Sequence, residues 1–346
     1  MTWLPPYRHL SETGELAERA LALAALATPC RLCPHRCAVD RTAGQRGVCG
    51  LPAGAVVAAA TAHFGEEPEI SGTRGSGTVF FGGCNLRCVY CQNATISQGA
   101  DMRRRAVTSA DDLGAILLDL AGRYVHNINW VTPSHVVPWA VAGLDVAASR
   151  GLVLPLVYNS SAYDSIDVLR LLDGVVDVYL PDLRYADDES ATEFSGVKGY
   201  VAASRAAVVE MARQVGTANV VGPDGTLRRG LIVRLLVLPN DISGVRESLA
   251  FLRDAIGTQV RIALMAQYFP AHKAPEEILL SRRTSVREYQ RVLDVAERMG
   301  FENALVQEME AQDFYRPDFD RGDEPFADAA QFHGRGTPDG PGEDPR

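Results

Sequence analysis

The chain has 346 residues, of which 47% are hydrophobic and 22% charged, and its net charge is −9. This composition is that of a folded, soluble protein whose core is large enough to be stable without disulfides. The acidic balance argues against a protein held to nucleic acid or to an anionic membrane by charge. Apolar runs stay far below the roughly 20 residues of a spanning helix. The start of the chain lacks the basic and apolar regions of a signal peptide, so we predict a cytoplasmic protein.

The first part of the chain, residues 1–65, is predicted to form a small appendage. Residues 11–28 have the pattern of an amphipathic helix opened by Ser11, and residues 54–62 that of a strand. Between them lies a cysteine-containing loop rich in glycine, arginine and proline.

From residue 78 onward, short apolar runs alternate with amphipathic stretches. The predicted strands are 78–81, 127–131, 154–158, 177–180, 231–237, 260–264 and 304–307. The predicted helices are 108–123, 138–149, 166–172, 202–215, 243–256 and 285–299. Thr108 and Asp111 are a predicted cap pair, and Pro223–Gly225 a predicted hairpin turn. This alternation predicts a parallel α/β barrel or open sheet, with functional groups at the carboxyl ends of the strands.

The predicted domains beyond the appendage are an α/β unit over residues 66–320 and a tail over residues 321–346. Nine of the 26 tail residues are glycine or proline, and charged residues outnumber large apolar ones. We therefore predict that the acidic tail is disordered.

All seven cysteines lie between residues 30 and 91. An odd number in a reducing compartment argues against a disulfide framework, and short gaps between thiols favour metal ligation. The spacing divides them into four and three.

The second group is Cys84, Cys88 and Cys91, spaced C-x3-C-x2-C. Three thiolates are too few for a closed tetrahedral zinc site and one short of a fully ligated [4Fe–4S] cluster. A cubane on three cysteines keeps one iron open for a ligand that is not protein. The alternative is a zinc site or an ordinary cluster with a remote fourth ligand.

With Tyr90 directly before the third cysteine, this group resembles the signature of the radical SAM superfamily. The resemblance implies that Cys84, Cys88 and Cys91 hold the catalytic [4Fe–4S] cluster, whose open iron chelates S-adenosylmethionine. Reductive cleavage of that cofactor would yield a 5′-deoxyadenosyl radical that abstracts hydrogen from a substrate. Tyr90 would lie against the adenine.

Further segments are similar to the pyruvate formate-lyase activating enzyme-like proteins, and within them to the branch often labelled PflX-like, which has an N-terminal cysteine cluster. They are His63-Phe-Gly-Glu-Glu67, the glycine-rich run 71–84 and Cys91-Gln-Asn93, and the similarity extends to about residue 320. It implies a partial (β/α)6 TIM-type barrel of the radical SAM type with a small N-terminal cysteine-rich appendage. It also implies an electron donor such as flavodoxin or ferredoxin. The substrate would be a glycine of a partner glycyl radical enzyme, another protein or a small molecule.

The first cysteine group is spaced C-x2-C-x3-C-x11-C and comprises Cys30, Cys33, Cys37 and Cys49. Four thiolates can close a structural zinc site or ligate a second iron–sulfur cluster, and the sequence leaves both open. Free buried cysteines are the third interpretation.

Polar residues at the predicted strand ends are cofactor-binding candidates. Ser134 stands where many relatives carry a Gly-Gly-Glu run, and Asp182 and Arg184 match an Asp-x-Lys pattern with arginine in place of lysine. Arg234, within an apolar strand, needs a partner for its charge, although Leu235 follows it where relatives have histidine. The remaining candidates are Asn159 and Ser160.

The substrate-side candidates precede the first predicted barrel strand or follow other strands. They are His63, Glu66, Glu67, His135, Gln267, Tyr268, His272 and Lys273. The sequence leaves three interpretations of His135 open: a proton donor, a substrate contact, or a buried histidine held by a hydrogen bond. Lys273 attracts attention because this arginine-rich chain has only one other lysine, Lys198.

Three functions compete on this reading. The first is a radical SAM enzyme of the activating-enzyme-like branch. The second is a non-catalytic iron–sulfur electron-transfer or scaffold protein. The third is a nucleic-acid-modifying radical enzyme, against which the acidic balance argues because phosphate contacts require clustered cations.

Overall fold

A computed structural model of the chain describes residues 3–314, 316–321 and 325–326. The strands are β1 Val57–His63, β2 Ser76–Phe81, β3 Ile128–Val131, β4 Leu156–Ser160, β5 Val178–Pro181, β6 Val220–Val221, β7 Leu227–Leu236, β8 Arg261–Met265 and β9 Ala304–Val306. The α-helices are α1 Tyr7–Thr13, α2 Glu15–Ala25, α3 Pro68–Ser71, α4 Ala94–Ser97, α5 Ala110–Gly122, α6 Val137–Ser149, α7 Ile166–Leu171, α8 Asp188–Ser195, α9 Tyr200–Val215, α10 Val245–Ile256, α11 Val286–Arg298 and α12 Ala311–Phe314. Short 3₁₀ turns lie at Met102–Arg104, Pro239–Asp241, Ala274–Glu276 and Phe319–Arg321.

A single mixed sheet organises the fold, in the strand order β1-β2-β3-β4-β5-β7-β8-β9, with β6 beside β7. The strand β1 is antiparallel to β2, and the pairs from β2 to β9 along this path are parallel. The prediction of an α/β fold with a parallel sheet is confirmed. Seven parallel strands are present in the described residues, which agrees with the seven strands predicted from the sequence and exceeds by one the six of a (β/α)6 barrel.

The parallel strands are apolar because helices cover the sheet. Every residue of β2 and of β4 is buried, and each strand has three consecutive apolar residues, Val79–Phe81 and Leu156–Tyr158, rather than an alternating pattern. Outside the sheet, α5 and α6 pack closely, since a Cβ on Gly143 would lie 2.7 Å from Leu113 Cδ2. The parallel strands all present their carboxyl ends to the same edge of the sheet, which is where the site forms.

The predicted helix over 11–28 is confirmed for its central part, as α2, and is wrong at its start, where a separate helix, α1, ends at Thr13. The chain breaks at Gly14, whose φ of +82° is left-handed and therefore favours glycine. Ser11 opens no helix and lies inside α1, where its hydroxyl donates a hydrogen bond to Asp145 Oδ1 at 2.7 Å. The break lets both short helices turn their apolar sides, including Leu10 and Leu16, onto the body.

Two further local predictions change. The cap of α5 is Ser109, which accepts a hydrogen bond from the Asp112 N–H, one residue later than the predicted pair. Thr108 is instead paired with the chain before β1, because its N–H donates to Ala55 O at 2.7 Å. The polar helix α8, capped by Asp187, was not predicted. The predicted helix start at Ser285 is confirmed by a complete capping box with Glu288.

The predicted disordered tail falls largely on residues 322–324 and 327–346, which lie outside the described residues. Phe326, assigned by the prediction to this tail, packs against His63 with ring centroids 4.0 Å apart. Within the described residues, no helix combines the length and the apolar character that a membrane span requires.

Candidate active site

A cavity of about 910 Å³ opens at the carboxyl ends of the parallel strands. Its wall includes the end of β1, the loop after β2, the ends of β3, β4, β5, β7 and β8, and the chain after β9. Most of the predicted site residues line this one cavity: Cys84, Cys88, Tyr90, Cys91, Asn159, Ser160, Asp182, Arg184, Arg234, His63, Glu66, Glu67, Gln267 and Tyr268. The topology thus brings together side chains that are up to 205 residues apart in the sequence (positions 63 and 268).

The three-cysteine loop, residues 82–91, leaves β2 through two glycines. Gly83 has φ +74°, and a Cβ there would lie 2.7 Å from the carbonyl oxygen of Cys49. A side chain is excluded at this position by both the backbone conformation and the close approach. The Leu86 N–H then donates to Cys84 Sγ at 3.3 Å, so the loop backbone itself orients the first sulfur.

Hydroxyl groups reach the other two sulfurs. Ser195 Oγ donates to Cys88 Sγ at 2.9 Å, and Ser97 Oγ lies 3.2 Å from Cys91 Sγ. Hydrogen bonds to sulfur are among the means by which proteins tune iron–sulfur clusters. Sequence reasoning missed both serines, since Ser97 lies in the short α4 and Ser195 in the unpredicted α8.

The end of α8 is joined to the three-cysteine loop through the backbone. The N–H groups of Arg87 and Val89 donate to the carbonyls of Ser195 and Phe194, each at 2.9 Å. The position of Cys88 is therefore set by a helix that lies more than 100 residues later in the chain.

Tyr90 is buried and has a defined partner. Its hydroxyl donates to Tyr185 OH at 2.8 Å, and Tyr185 OH lies 2.6 Å from Ser195 Oγ. Its ring meets that of Tyr268 edge to face, with centroids 6.0 Å apart. The aromatic before the third cysteine is thus locked in orientation at the cavity wall.

Burial raises the pKa of the Cys84 thiol to about 12, with a further contribution from Cys88, and it also raises the pKa of Cys91. Thiols with such pKa values are poor nucleophiles at neutral pH, because the thiolate is the reactive form. Two or three buried thiolates require a compensating cation. The loop therefore suits metal ligation and not nucleophilic catalysis.

A network of charged groups lies on the facing wall. Arg234 donates from Nε to Asp182 Oδ1 at 2.6 Å, from Nη1 to Glu66 Oε2 at 2.9 Å and from Nη2 to Asn159 Oδ1 at 2.6 Å. Glu66 Oε1 also accepts from Asn129 Nδ2 at 3.0 Å. Burial opposes the charge of Arg234, but the neighbouring carboxylates outweigh burial and raise its pKa. The sequence indicated that the charge of Arg234 needs a partner, and Asp182 and Glu66 provide it.

Arg184 connects this network to the three-cysteine loop. Its Nη2 donates to Asp182 Oδ2 at 2.6 Å. Burial disfavours its charge, but Asp182, Cys88 and Tyr90 more than compensate and raise its pKa. A guanidinium held between a carboxylate and the sulfur-bearing loop can bind an anionic group of a ligand.

Glu67 is the least satisfied member of the wall. Burial raises its pKa to about 7, although Arg234 acts in the opposite direction. Its Oε2 is shielded from solvent and has no hydrogen-bond partner among the described residues. This carboxyl group can therefore exchange a proton near neutral pH.

Four of the cofactor-binding and substrate-side candidates lie outside the cavity lining. Ser134 and His135 are buried, and His272 and Lys273 are exposed. His135 Nε2 is bonded to Gly82 O at 2.8 Å, and burial lowers its pKa to about 3, so the ring is neutral. Of the alternatives for His135, the structure places it as a buried hydrogen-bonded histidine. Lys273 contributes its backbone, whose N–H donates to Val89 O at 2.8 Å.

The four-cysteine loop, residues 27–55, lies directly outside the three-cysteine loop. Its His35 Nε2 is 2.7 Å from the carbonyl oxygen of Asn85, and Arg87 donates to the carbonyl of Val48. Cys30, Cys33 and Cys49 are buried and Cys37 is partly exposed, and all seven thiols are free of disulfides. Burial raises the pKa of Cys33, and the three neighbouring thiols raise it further.

Arg41 anchors this appendage. It is fully buried, donates to the carbonyl oxygens of His135 and Pro52, each at 2.6 Å, and lies 4.7 Å from the centre of the Trp139 ring. Since His135 in turn is bonded to Gly82, Arg41 links the appendage to the start of the three-cysteine loop.

Comparison with known proteins leaves the family open. No family model matches the chain. The chain is 28% identical over 275 residues to uncharacterized protein MJ0674 of Methanocaldococcus jannaschii, which covers 78% of this chain and 74% of that protein.

Two crystal structures of Streptococcus suis SuiB, one bound to precursor peptide SuiA and one to S-adenosylmethionine, are similar at a TM-score of 0.44. Their identities are 12% and 13%, over 65% and 66% of this chain. The chain spans about half the length of SuiB, at 46% and 50%. The function must therefore be argued from the site itself.

Proposed function

We propose that this protein is a radical SAM enzyme of the pyruvate formate-lyase activating enzyme-like, PflX-like branch. The observation that carries the proposal is the convergence of Cys84, Cys88 and Cys91 on one cavity. This cavity also holds Tyr90 and a buried network of arginines and carboxylates. The open, curved sheet corresponds in this proposal to a partial barrel, and residues 1–65 to an appendage that carries a second metal site.

The donor set suits a [4Fe–4S] cluster with one open iron. All seven cysteines lie in the described part of the chain, and only these three line the cavity. No three His, Cys, Asp or Glu side chains within the described residues lie close enough together to hold a single metal ion. A cubane needs no such convergence, because each thiolate binds a different iron. When bound, the cluster supplies the electron that splits S-adenosylmethionine into methionine and the 5′-deoxyadenosyl radical, which takes a hydrogen atom from the substrate.

The remaining residues bind and orient the cofactor in this proposal. Arg184, held by Asp182 beside the sulfurs, receives the carboxylate of S-adenosylmethionine, and Tyr90 supports the adenine. Asn159 and Ser160, at the end of β4, contact its ribose or amino group. Arg234 fixes Asp182 and Asn159 in place, since it donates a hydrogen bond to each at 2.6 Å. Buried thiols with raised pKa values become thiolates when the iron charge compensates them.

The partners follow from the same chemistry. A low-potential donor such as flavodoxin or ferredoxin provides the electron. The substrate is a glycine of a glycyl radical enzyme, another protein or a small molecule. The four-cysteine loop holds a second iron–sulfur cluster or zinc, and zinc would require its thiols to draw closer together than they lie here. We place the enzyme in the cytoplasm, where its thiols stay reduced.

The test is anaerobic reconstitution with iron and sulfide, reduction with dithionite, and measurement of 5′-deoxyadenosine after addition of S-adenosylmethionine. The wild type should form this product, and Cys88→Ala should form none. Cys33→Ala, which removes a thiol outside the cavity, is the matched control and should retain product formation. An intact cluster without product in the wild type would favour the non-catalytic iron–sulfur protein instead.

A further inference from the structure

The buried charges of the cavity do not balance. Three carboxyl groups, those of Glu66, Glu67 and Asp182, face only two guanidinium groups, those of Arg184 and Arg234. Glu308 and Glu310, on the chain after β9, add two more carboxylates at the exposed rim. No other arginine or lysine lines the cavity within the described residues. An unbalanced buried carboxylate is costly unless it takes up a proton or gains a cation.

The excess resides on Glu67. Asp182 and Glu66 each accept hydrogen bonds from arginine, whereas Glu67 Oε2 is shielded and has no hydrogen-bond partner among the described residues. The charged groups that act on Glu67 are Arg234, Glu66 and Asp182. Burial raises the pKa of this carboxyl group to about 7, as expected of an acid that lacks a full counter-charge.

Aromatic rings line the same cavity as Glu67. His63, Phe64, Phe80 and Phe326 all line it, and His63 and Phe64 lie just before Glu67 in the chain. Phe326 packs against His63 and Phe80, with ring centroids 4.0 Å and 5.7 Å apart. Aromatic faces attract organic cations, and the attraction strengthens where water is excluded.

A chain of ion pairs runs from the three-cysteine loop towards Glu67. Cys88 and Tyr90 are among the charged groups that act on Arg184, whereas the groups that act on Glu67 are Arg234, Glu66 and Asp182. The ion pairs Arg184–Asp182–Arg234 lead from the three-cysteine loop to Glu66, the neighbour of Glu67 in the chain. Asn159, which the proposed function assigns to the cofactor, donates to Glu66 Oε1 at 3.2 Å, so a group bound at Glu67 would lie beside the cofactor.

We propose that Glu67 and the aromatic rings beside it form the specificity site for a positively charged substrate, of the alkylammonium class. This inference rests on the proposed function, because it names the class of substrate for the same cavity. The ammonium group compensates the surplus carboxylate, and the adjoining alkyl chain packs against the rings. The bound cation would also favour the ionised form of Glu67 over the protonated form.

Three six-carbon probes that differ only in charge test the site: n-hexylammonium, 1-hexanol and hexanoate. Their binding to the reconstituted protein with S-adenosylmethionine is measured by isothermal titration calorimetry at pH 6 and pH 8. At pH 8, hexylammonium should bind about tenfold more tightly than hexanol, as expected for one charge-assisted hydrogen bond. The amine remains charged at both pH values, so weaker binding at pH 6 reports protonation of the protein.

Glu67→Gln should lose the preference for hexylammonium and its dependence on pH. The matched control is Glu297→Gln, an exposed glutamate on α11, which should bind all three probes as the wild type does. Phe64→Leu should weaken hexylammonium binding about threefold through loss of the ring. Melting temperatures of all variants confirm that they are folded.

Equal affinity for hexylammonium and hexanol in the wild type would overturn the cation site, as would wild-type behaviour of Glu67→Gln. A loss of S-adenosylmethionine affinity in Glu67→Gln as large as the loss for hexylammonium would also overturn it, since Glu67 would then belong to the cofactor. Formation of 5′-deoxyadenosine is measured separately on the wild type. Its absence would overturn the proposed function, whatever the probes show.

Discussion

The two cysteine loops use the same ligand chemistry in opposite settings. The three-cysteine loop extends from the end of β2, receives hydroxyl groups at two of its sulfurs and forms one wall of the cavity. None of the thiols of the four-cysteine loop lines that cavity, and the loop packs against the outside of the first. The location of a thiol group relative to the strand ends, rather than the number of thiols, therefore decides which cysteine loop faces the cavity.

The two loops are nevertheless mechanically connected. Cys49 contacts the loop backbone at Gly83, and Arg41 reaches Gly82 through His135. Both connections meet at the two glycines before Cys84. A change at this junction, at Arg41 or at Cys49, is therefore expected to disturb the three-cysteine loop.

The sharpest contrast is between Cys88→Ala and Cys33→Ala. The first should abolish 5′-deoxyadenosine formation because it removes a ligand of the catalytic cluster. The second should lower metal content and stability while product formation continues. Product assays and iron and zinc analysis check both variants. A folded Cys33→Ala variant that keeps the cluster of the three-cysteine loop but forms no 5′-deoxyadenosine would contradict this prediction. It would show that the two cysteine loops do not have separate roles.

Replacement of Arg41 should break the junction. Arg41→Ala leaves the carbonyl oxygens of His135 and Pro52 buried without their donor, so unfolding free energy should fall by about 3 kcal/mol. Arg41→Lys keeps the charge but not the planar guanidinium group. Its unfolding free energy should lie between those of the wild type and Arg41→Ala. Denaturant unfolding measures these changes. An Arg41→Ala variant as stable as the wild type would show that the loops are not joined through this residue.

The histidine of the junction predicts a pH dependence. Burial lowers the pKa of His135 to about 3, below its ordinary value of 6.5. The folded protein thus binds fewer protons here than the unfolded chain, so this contribution to stability is present above pH 6.5 and lost as pH falls towards 3. Between pH 6.5 and pH 5 the loss should be about 2 kcal/mol.

His135→Gln tests this assignment, because glutamine can still donate to Gly82 O but does not titrate. Its unfolding free energy should vary less with pH than that of the wild type. Identical pH profiles for the two proteins would assign the acid sensitivity to other groups.

The smallest expected effect concerns Ser195, whose hydroxyl group donates a hydrogen bond to Cys88 Sγ in the three-cysteine loop. Ser195→Ala removes the donor to Cys88 Sγ and should lower iron retention about tenfold, within the range of outer-shell substitutions at metal sites. Ser204→Ala, a buried serine of α9 that bonds only the helix backbone, is the matched control. Competition with a chelator, followed by the visible absorption of the cluster, measures both. Equal iron loss from the two variants would exclude a role for the Ser195 hydroxyl.

Local patterns in the sequence were informative where they repeat along the chain. The alternation of apolar runs and amphipathic stretches predicted the parallel sheet, and the strand-end polar residues Asn159, Asp182 and Arg184 line the cavity as expected. Local patterns gave wrong or missing helices where a single residue or a contact with a distant part of the chain determines the structure. Gly14 splits the predicted helix 11–28, and the polar α8 is held by backbone bonds to the three-cysteine loop.

The sequence by itself determined which residues carry chemistry: seven clustered thiols, the aromatic before the last of them, and charged groups at strand ends. Spacing and residue type encode these features locally. Only the tertiary structure decided that His135 supports the loop, that Ser195 reaches Cys88, and that Glu67 has too few partners. Hydrogen bonding, burial and charge balance depend on neighbours brought from distant parts of the chain, and no local pattern contains them.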